Sequence, residues 1–277
     1  RITRLPEYYQ SRTELGILRR AVPGIVRRHD VGEVVEIGSG ASRKTAALLD
    51  AVRAAGRPGR YLPFDVCPEA LLAAAGRLAG GYPGLDVHGV CGDFATHLGR
   101  VPAPVGDGGR MVAFLGGTVG NLEPAERTPF LRAVAALMGP GDVLLMGTDL
   151  AGDPERIRRA YDDAEGVTAE FNRNVLRVIN RELGADFDPD AFAHVALYDP
   201  GPPWIEMRLR AEGDQRVTIP ALGMELHLAD GEEIRTEISC KFTRETVGEM
   251  YAAAGLRLAE WHTDPRGWFA VSTAILA

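Results

Sequence analysis

Hydrophobic positions run in short continuous blocks along the first half of the chain and alternate with polar ones along the second. Blocks at 33–37, 60–65, 85–91, 110–115 and 142–148 predict buried strands, and helical periodicity between them predicts helices at 42–55, 68–78 and 124–137. Pro68 and Pro124 stand where a first helical turn tolerates proline. The regular alternation over 15–150 predicts a parallel sheet covered on both faces, and such sheets bind ligands at the carboxyl ends of their strands. After Asp149 the pattern changes, and 153–183 reads as helical. Within 204–210, Ile205, Met207 and Leu209 share one face against Glu206, Arg208 and Arg210. Met224, Leu226 and Leu228 share a face, and Arg235, Glu237, Ser239 and Lys241 form the polar face of 234–241. This is period-two, half-buried, antiparallel sheet. A helix over 243–254 stops at Gly255, and 256–263 pairs with 268–276 around Asp264-Pro265-Arg266-Gly267. The segment 151–240 therefore reads as an insertion that returns the chain to the core sheet.

The first strand runs into Gly38-Ser39-Gly40, with a helical pattern directly behind it. Glycine lets backbone approach a ligand closely, and a helix start points free N–H groups at it. Asp65 closes the second strand, where an acid can accept both ribose hydroxyls. Asp93, next to Phe94, closes the third and can accept a purine amino group, and Gly116 falls at the same edge. Together these predict a pocket for an adenosine-containing cofactor. The dinucleotide fingerprint fails at its third glycine, where Arg43 stands, which disfavours a nicotinamide oxidoreductase, and no P-loop motif is present. Gly38 and Gly40 alone fit an ordinary α/β turn equally well; the two acids tip the reading. The E-x-G-x-G form with acids after strands two and three is typical of S-adenosylmethionine (SAM) methyltransferases, and a closing antiparallel hairpin is the usual finish of their class I fold.

Composition narrows the partners. A net charge of −7 over 277 residues disfavours nucleic acid. No apolar run reaches the roughly 18 residues of a membrane span. Cys67, Cys91 and Cys240 are far apart and suggest neither a disulfide framework nor a metal site, which points to a cytoplasmic protein. Cys91 reads as a buried strand thiol, and His227 as a surface residue. The six histidines lack metal-ligand spacing, so no metal is expected. Lys44 and Lys241 are the only lysines in an Arg-rich chain, a bias taken here as compositional.

Nine segments, in order, carry a family resemblance. They are T-R-L-P-E-Y-Y at 3–9, E-I-G-S-G at 36–40, P-F-D at 63–65, C-G-D-F at 91–94 and F-L-G-G-T-V-G-N at 114–121. Next come G-T-D-L at 147–150, A-Y-D-D at 160–163, G-V-T-A-E-F-N-R-N at 166–174 and T-E-I-S-C-K-F at 236–242. In these the chain resembles the L-histidine Nα-methyltransferases of ergothioneine synthesis over essentially its whole length. The resemblance implies a class I, Rossmann-like α/β fold with an inserted α+β substrate domain. Residues 15–150 and 241–277 would bind SAM, and 1–14 and 151–240 the substrate. It implies SAM as cofactor, S-adenosylhomocysteine as its product, and L-histidine as substrate of a monomer. Gly38, Ser39 and Gly40 would meet the cofactor's methionine end, with Lys44 near its carboxylate. Asp65 would hold the ribose, and Asp93, with the Phe94 backbone, the adenine. Asn121 and Tyr161 would be the catalytic pair, holding the amino acid's carboxylate and α-amine, with Tyr8 and Gly116 lining that site. Glu237 and Ser239, with Ile238 between them, would hold the imidazole, and Met207 would pack near it.

Read without the resemblance, several of these positions stay open. Glu237 fits a solvated strand face, Tyr161 a half-buried helix position, Tyr8 a hydrophobic anchor, Met207 plain core and Lys44 a solvent-facing turn. Asn121 also fits the N-cap of the helix that follows. Glu237 and Ser239 are two apart on a strand, so both point to one side and can pair with two ring nitrogens. Relatives in this family carry more chain ahead of the position of Thr3, part of which closes over the substrate, so closure is expected to need such a segment. Rival readings are a methyltransferase of another small amine and a non-catalytic SAM-binding regulator.

Overall fold

The computed structural model describes residues 1–39, 43–57 and 59–277. Two compact units emerge, one formed by Gln10–Leu150 with Phe242–Ala277, the other by Arg1–Tyr9 with Ala151–Lys241.

The larger unit contains α1 (Gln10–Arg28), β1 (Val31–Ile37), α2 (Arg43–Ala54), β2 (Arg60–Asp65), α3 (Pro68–Gly81), β3 (Asp86–Val87) and β4 (Val90–Cys91). It continues through β5 (Gly109–Phe114), α4 (Pro124–Ala135) and β6 (Val143–Asp149). After the smaller unit's α5 (Pro154–Tyr161), α6 (Val167–Leu183), β7 (Phe192–Asp199), β8 (Trp204–Ala211), β9 (Gln215–Ile219), β10 (Met224–Leu228) and β11 (Glu233–Cys240), it closes with α7 (Arg244–Ala253), β12 (Leu256–Thr263) and β13 (Phe269–Leu276). Its sheet runs β12-β13-β6-β5-β1-β2-β3, with β4 also paired to β2. The strands β2, β1, β5 and β6 are parallel, and β13 is antiparallel to both β6 and β12. This is the doubly covered sheet with a C-terminal hairpin that the alternation predicts. Phe269 and Val271 of β13 pack with Ile17 and Ile25 of α1 and Leu48 of α2. Ser272, the next residue along β13 and so on the opposite face, meets the Tyr251 hydroxyl of α7 at 2.8 Å, so helices cover both faces.

Helix α1 precedes every element that the hydrophobic pattern predicts. Pro23 lies inside it, and proline there removes a helical hydrogen bond. Complete burial of Ile17, Leu18, Val22 and Ile25 outweighs that cost. Its buried face also holds Gln10 and Glu14, polar positions that interrupt the apolar stripe. The strand expected over 85–91 is instead the two short pieces β3 and β4, broken at His88-Gly89, where the sheet has only β2 to pair with. Cys91 on that edge is exposed, which corrects its reading as a buried thiol.

Asn121 does not cap α4. Residues 118–121 form a short 3-10 turn, Pro124 opens the helix, and Glu123 N–H donates to Glu126 Oε2 at 2.9 Å.

In the smaller unit the helical stretch 153–183 is two helices. Gly166 takes a left-handed conformation (φ 68°), and the Asp163 carboxylate accepts from the N–H groups of Val167 and Thr168 at 2.9 and 2.7 Å, starting α6 afresh. Asp153 caps α5 by accepting from Glu155 N and Arg156 N at 3.2 and 3.3 Å. Asp153→Ala is expected to cost about 1 kcal/mol, read as a lower urea midpoint at unchanged m. The helices pack on an antiparallel sheet ordered β11-β8-β7, beside a β9-β10 hairpin. Leu176, Phe192, Leu209 and Val217 form one core there, and Ile157, Ala196 and Ile205 another. Met224, expected on the apolar face of β10, is 43% exposed, while His227 is exposed as the alternation predicts.

Strand β11 carries a bulge. Arg235 stands opposite Arg208, but Glu237 stands opposite Met207 and Ser239 opposite Ile205. The extra residue, Thr236, donates its hydroxyl to Asn172 Oδ1 and the Met207 carbonyl at 2.6 and 2.9 Å. The polar face expected to run unbroken from Arg235 to Lys241 is thereby split. Arg235 shares the face of Glu206 and Arg208, whereas Glu237 and Ser239 share that of Met207 and Ile205.

Candidate functional site

In the larger unit, Asp65 is the last residue of β2, and Gly38, Asp93 and Gly116 lie just beyond the carboxyl ends of β1, β4 and β5. Gly38 turns the chain with φ 70° and donates its N–H to the Phe64 carbonyl at 2.8 Å. Ser39 follows, buried; Gly40 lies outside the described residues. Beneath this turn Glu36 is buried and accepts from the Tyr61 and Thr45 hydroxyls at 2.6 and 2.7 Å, tying β1 to β2 and α2. Burial raises its carboxyl above the usual range, and those two hydrogen bonds oppose the shift. Asp65 Oδ1 accepts from Cys67 N at 3.1 Å, and Asp93 Oδ1 from Ala95 N at 2.8 Å, so local turns orient both carboxylates. The Phe94 ring packs edge-on against Phe114 and Phe130, with centroids 5.8 and 5.5 Å away.

Glu14 of α1 is a feature that the sequence reading missed. It is fully buried, yet its carboxylate pairs with Lys44 Nζ at 2.6 Å and accepts the Gly116 N–H at 2.8 and 3.1 Å. Gly116 has φ 90°, a conformation that favours glycine. Gly147 makes room for Glu14: a Cβ there would lie 2.0 Å from Glu14 Oε1. The signal was an acid on the stripe shared with Ile17 and Leu18. The result is a carboxylate and an ammonium side by side at the strand edge. That chemistry suits the zwitterionic end of an amino acid, as the two orienting acids suit a ribose and an amino-purine. The donor set therefore fits SAM. Among the described residues no group of side chains could hold a metal ion.

In the smaller unit, Tyr161 ends α5 and donates its hydroxyl to Ser239 Oγ at 2.8 Å. Lys241 Nζ donates to that same Ser239 Oγ and to the Tyr161 oxygen, each at 2.9 Å. Burial raises the Glu237 carboxyl above its ordinary range, and the Lys241 charge pulls it back. Met207, buried, stands directly opposite Glu237 in register. Ile238 pairs with Glu206 on the other face, which leaves only its backbone for a ligand on the Glu237 side. His194 Nε2 lies 2.8 Å from the Tyr161 carbonyl and must donate to it, so Nδ1 accepts from Asn172 Nδ2 at 2.9 Å. That relay fixes the end of α5 and with it Tyr161. Tyr8 is half-buried in the same unit, next to the buried Tyr9, over whose ring the Arg156 guanidinium lies 5.0 Å from the centroid. Asn121 belongs to the larger unit and is exposed.

Comparison with known proteins agrees with this chemistry. A S-adenosylmethionine-dependent methyltransferase from Clostridium acetobutylicum has a similar structure, with a TM-score of 0.52 at 8% identity over 95% of this chain and 92% of that one. This likeness shows the fold, a class I methyltransferase fold. The histidine N-alpha-methyltransferase of Mycolicibacterium smegmatis is 52% identical over 274 residues, 99% of this chain and 84% of the relative. That of Mycobacterium tuberculosis is 50% identical over 273 residues, with the same coverage of 99% and 84%. Residues 1–275 match the family described as histidine-specific, SAM-dependent methyltransferases, and this chain belongs to it.

Proposed function

We propose that this SAM-dependent methyltransferase of histidine acts on the α-amine, adding three methyl groups in succession to give hercynine, a step of ergothioneine synthesis. The larger unit binds SAM and the smaller binds the amino acid. The observation that carries the reading is the polar set on one face of the small sheet, half-buried Glu237 and Tyr161 with buried Ser239 and Lys241. It sets a carboxylate and a hydroxyl two residues apart on one face, the spacing that can meet two ring nitrogens. Glu237 and Ser239 meet the two imidazole nitrogens, with Met207 against the ring. By the family resemblance, Tyr161 and Tyr8 of the smaller unit, and Asn121 and Gly116 of the larger, are assigned to the amino acid's carboxylate and α-amine end. Asp65 takes the ribose hydroxyls, Asp93 and the Phe94 backbone the adenine, and Gly38, Ser39 and Lys44 the methionine end.

SAM supplies a methyl group already activated on its sulfonium, and S-adenosylhomocysteine is what remains of it. The protein's task is then orientation: the amine lone pair must lie in line with the S–CH₃ bond at about 3–3.5 Å. The amine attacks as the neutral form. An α-amino group titrates at about 7.7–8 in peptides, so modest desolvation beside a cation supplies that form, and the proton leaves through water. An aromatic wall such as Tyr8 tolerates the final quaternary cation. We take the protein to be a cytoplasmic monomer with neither nucleic-acid nor membrane partners. Its three cysteines, none of them in a disulfide, and its net charge of −7 support that reading. No helix among the described residues is long and apolar enough to cross a membrane.

The test is mass spectrometry of the protein with SAM and an equimolar mixture of amino acids. Histidine alone is expected to gain mass, up to three methyl groups. Methylation of a different amine would overturn the pocket assignment, and no methylation of any amine would favour the regulator reading.

A further inference from the structure

We propose that Lys241 sets the hydrogen-bond polarity of Ser239, making its hydroxyl an obligate donor, so that the site takes its substrate's imidazole as the neutral ring and rejects the imidazolium. This deepens the proposed function and rests on its reading that Glu237 and Ser239 hold the ring.

The argument is an accounting of donors and acceptors. A serine oxygen has two lone pairs and one hydrogen. Both lone pairs of Ser239 are engaged, one by the Lys241 ammonium at 2.9 Å and one by the Tyr161 hydroxyl at 2.8 Å. An ammonium only donates, so Lys241 cannot accept the serine hydrogen in return. Ser239 is 4% exposed and Lys241 3%, so water does not readily substitute. What Ser239 offers a ligand is its hydrogen, and the ligand must supply an acceptor.

Glu237, two residues away on the same face, offers only acceptors when ionised. One donor and one acceptor together match an imidazole with one N–H and one bare nitrogen. An imidazolium has two N–H groups, one of which would face the serine hydrogen and the Lys241 charge. The other titratable groups on this face are Tyr161 from α5 and His194 and Tyr198 from β7. The first two are tied to one another by the His194 hydrogen bond to the Tyr161 carbonyl. Lys241 is thus a positioning residue that acts through Ser239.

Hercynine is the probe of choice. Its quaternary α-nitrogen carries no proton, which leaves the imidazole, at about 6.5, as its titrating group near neutrality. Calorimetry of wild type between pH 5 and 8 is expected to show Kd rising about tenfold per pH unit below the imidazole pKa. Lys241→Met is expected to flatten that slope, because a serine freed from the ammonium can turn and accept from the imidazolium. A variant slope equal to wild type, or a wild type with no slope, overturns the proposal. Wild type alone gives a second reading if the variant fails to fold. In the ¹⁵N spectrum of ring-labelled hercynine bound at pH 5.5, one protonated and one bare nitrogen are expected; two protonated nitrogens overturn it. The two levels of failure separate. If Glu237→Gln and Ser239→Ala both leave Kd unchanged, the pocket reading itself falls. If they weaken binding while Lys241→Met keeps the wild-type slope, only the role of Lys241 falls.

Discussion

Glu237→Ala is expected to lower kcat/KM for histidine by roughly 10²-fold, with most of the loss in KM. A carboxylate accepting an imidazole N–H makes a hydrogen bond to a charged group, worth about 1.5–3 kcal/mol. Each 1.4 kcal/mol is a factor of ten in affinity. The truncation also leaves the ring N–H without a partner in a half-buried site, which pushes the loss toward the upper end of that range. A site built on such a pair rejects ligands that leave it unsatisfied. The same variant should therefore narrow the preference for histidine over phenylalanine. Steady-state kinetics with both amino acids decide the matter. An unchanged KM for histidine would place the ring elsewhere.

Asp65→Ala is expected to weaken SAM binding by roughly 10²- to 10³-fold. Two ribose hydroxyls donating to one carboxylate lose two charge-assisted hydrogen bonds together, about 3–4 kcal/mol when partly compensated by water. Asp65 is half-buried at the end of β2, and its Oδ1 is oriented by the Cys67 N–H at 3.1 Å, so the acid is pre-set for the diol. Calorimetric titration gives the affinity. A SAM analogue lacking the ribose hydroxyls closes a double-mutant cycle, and it should bind wild type and variant alike. A variant that binds SAM as tightly as wild type would remove Asp65 from the cofactor site.

The parallel sheet was readable in the amino-acid pattern because its signals are local. A strand buried on both faces reads as an apolar block, and the residue at its end is at the ligand edge whatever the partner strands are. Asp65, Asp93 and the Gly38 turn needed no more than that. Glu14 was harder to see. Pro23, Gly16 and Gly24 weaken the helix signal of α1, and the acid sits on the face that packs inward. Only the approach of Gly116, Lys44 and Gly147 makes a carboxylate there sensible. The chain's two lysines were a signal passed over. In a sequence whose other strongly basic residues are arginine, Lys44 and Lys241 each stand at a candidate site.

By itself, the sequence determined the alternation of strands and helices from β1 to β6, the closing helix and hairpin, the acids at the strand ends and, through its resemblance, the family. Each of these follows from residues close together in the chain or from their order along it. Tertiary structure alone decided which face Glu237 and Ser239 occupy. Strict alternation puts them with Arg235, and the bulge at Thr236 moves them to the side of Met207, Ile205 and Tyr161. The physical reason is that strand register is a property of two strands. It is set here by how β11 pairs with β8, with Asn172 of α6 accepting the hydroxyl of the extra residue. No periodicity within β11 could reveal it.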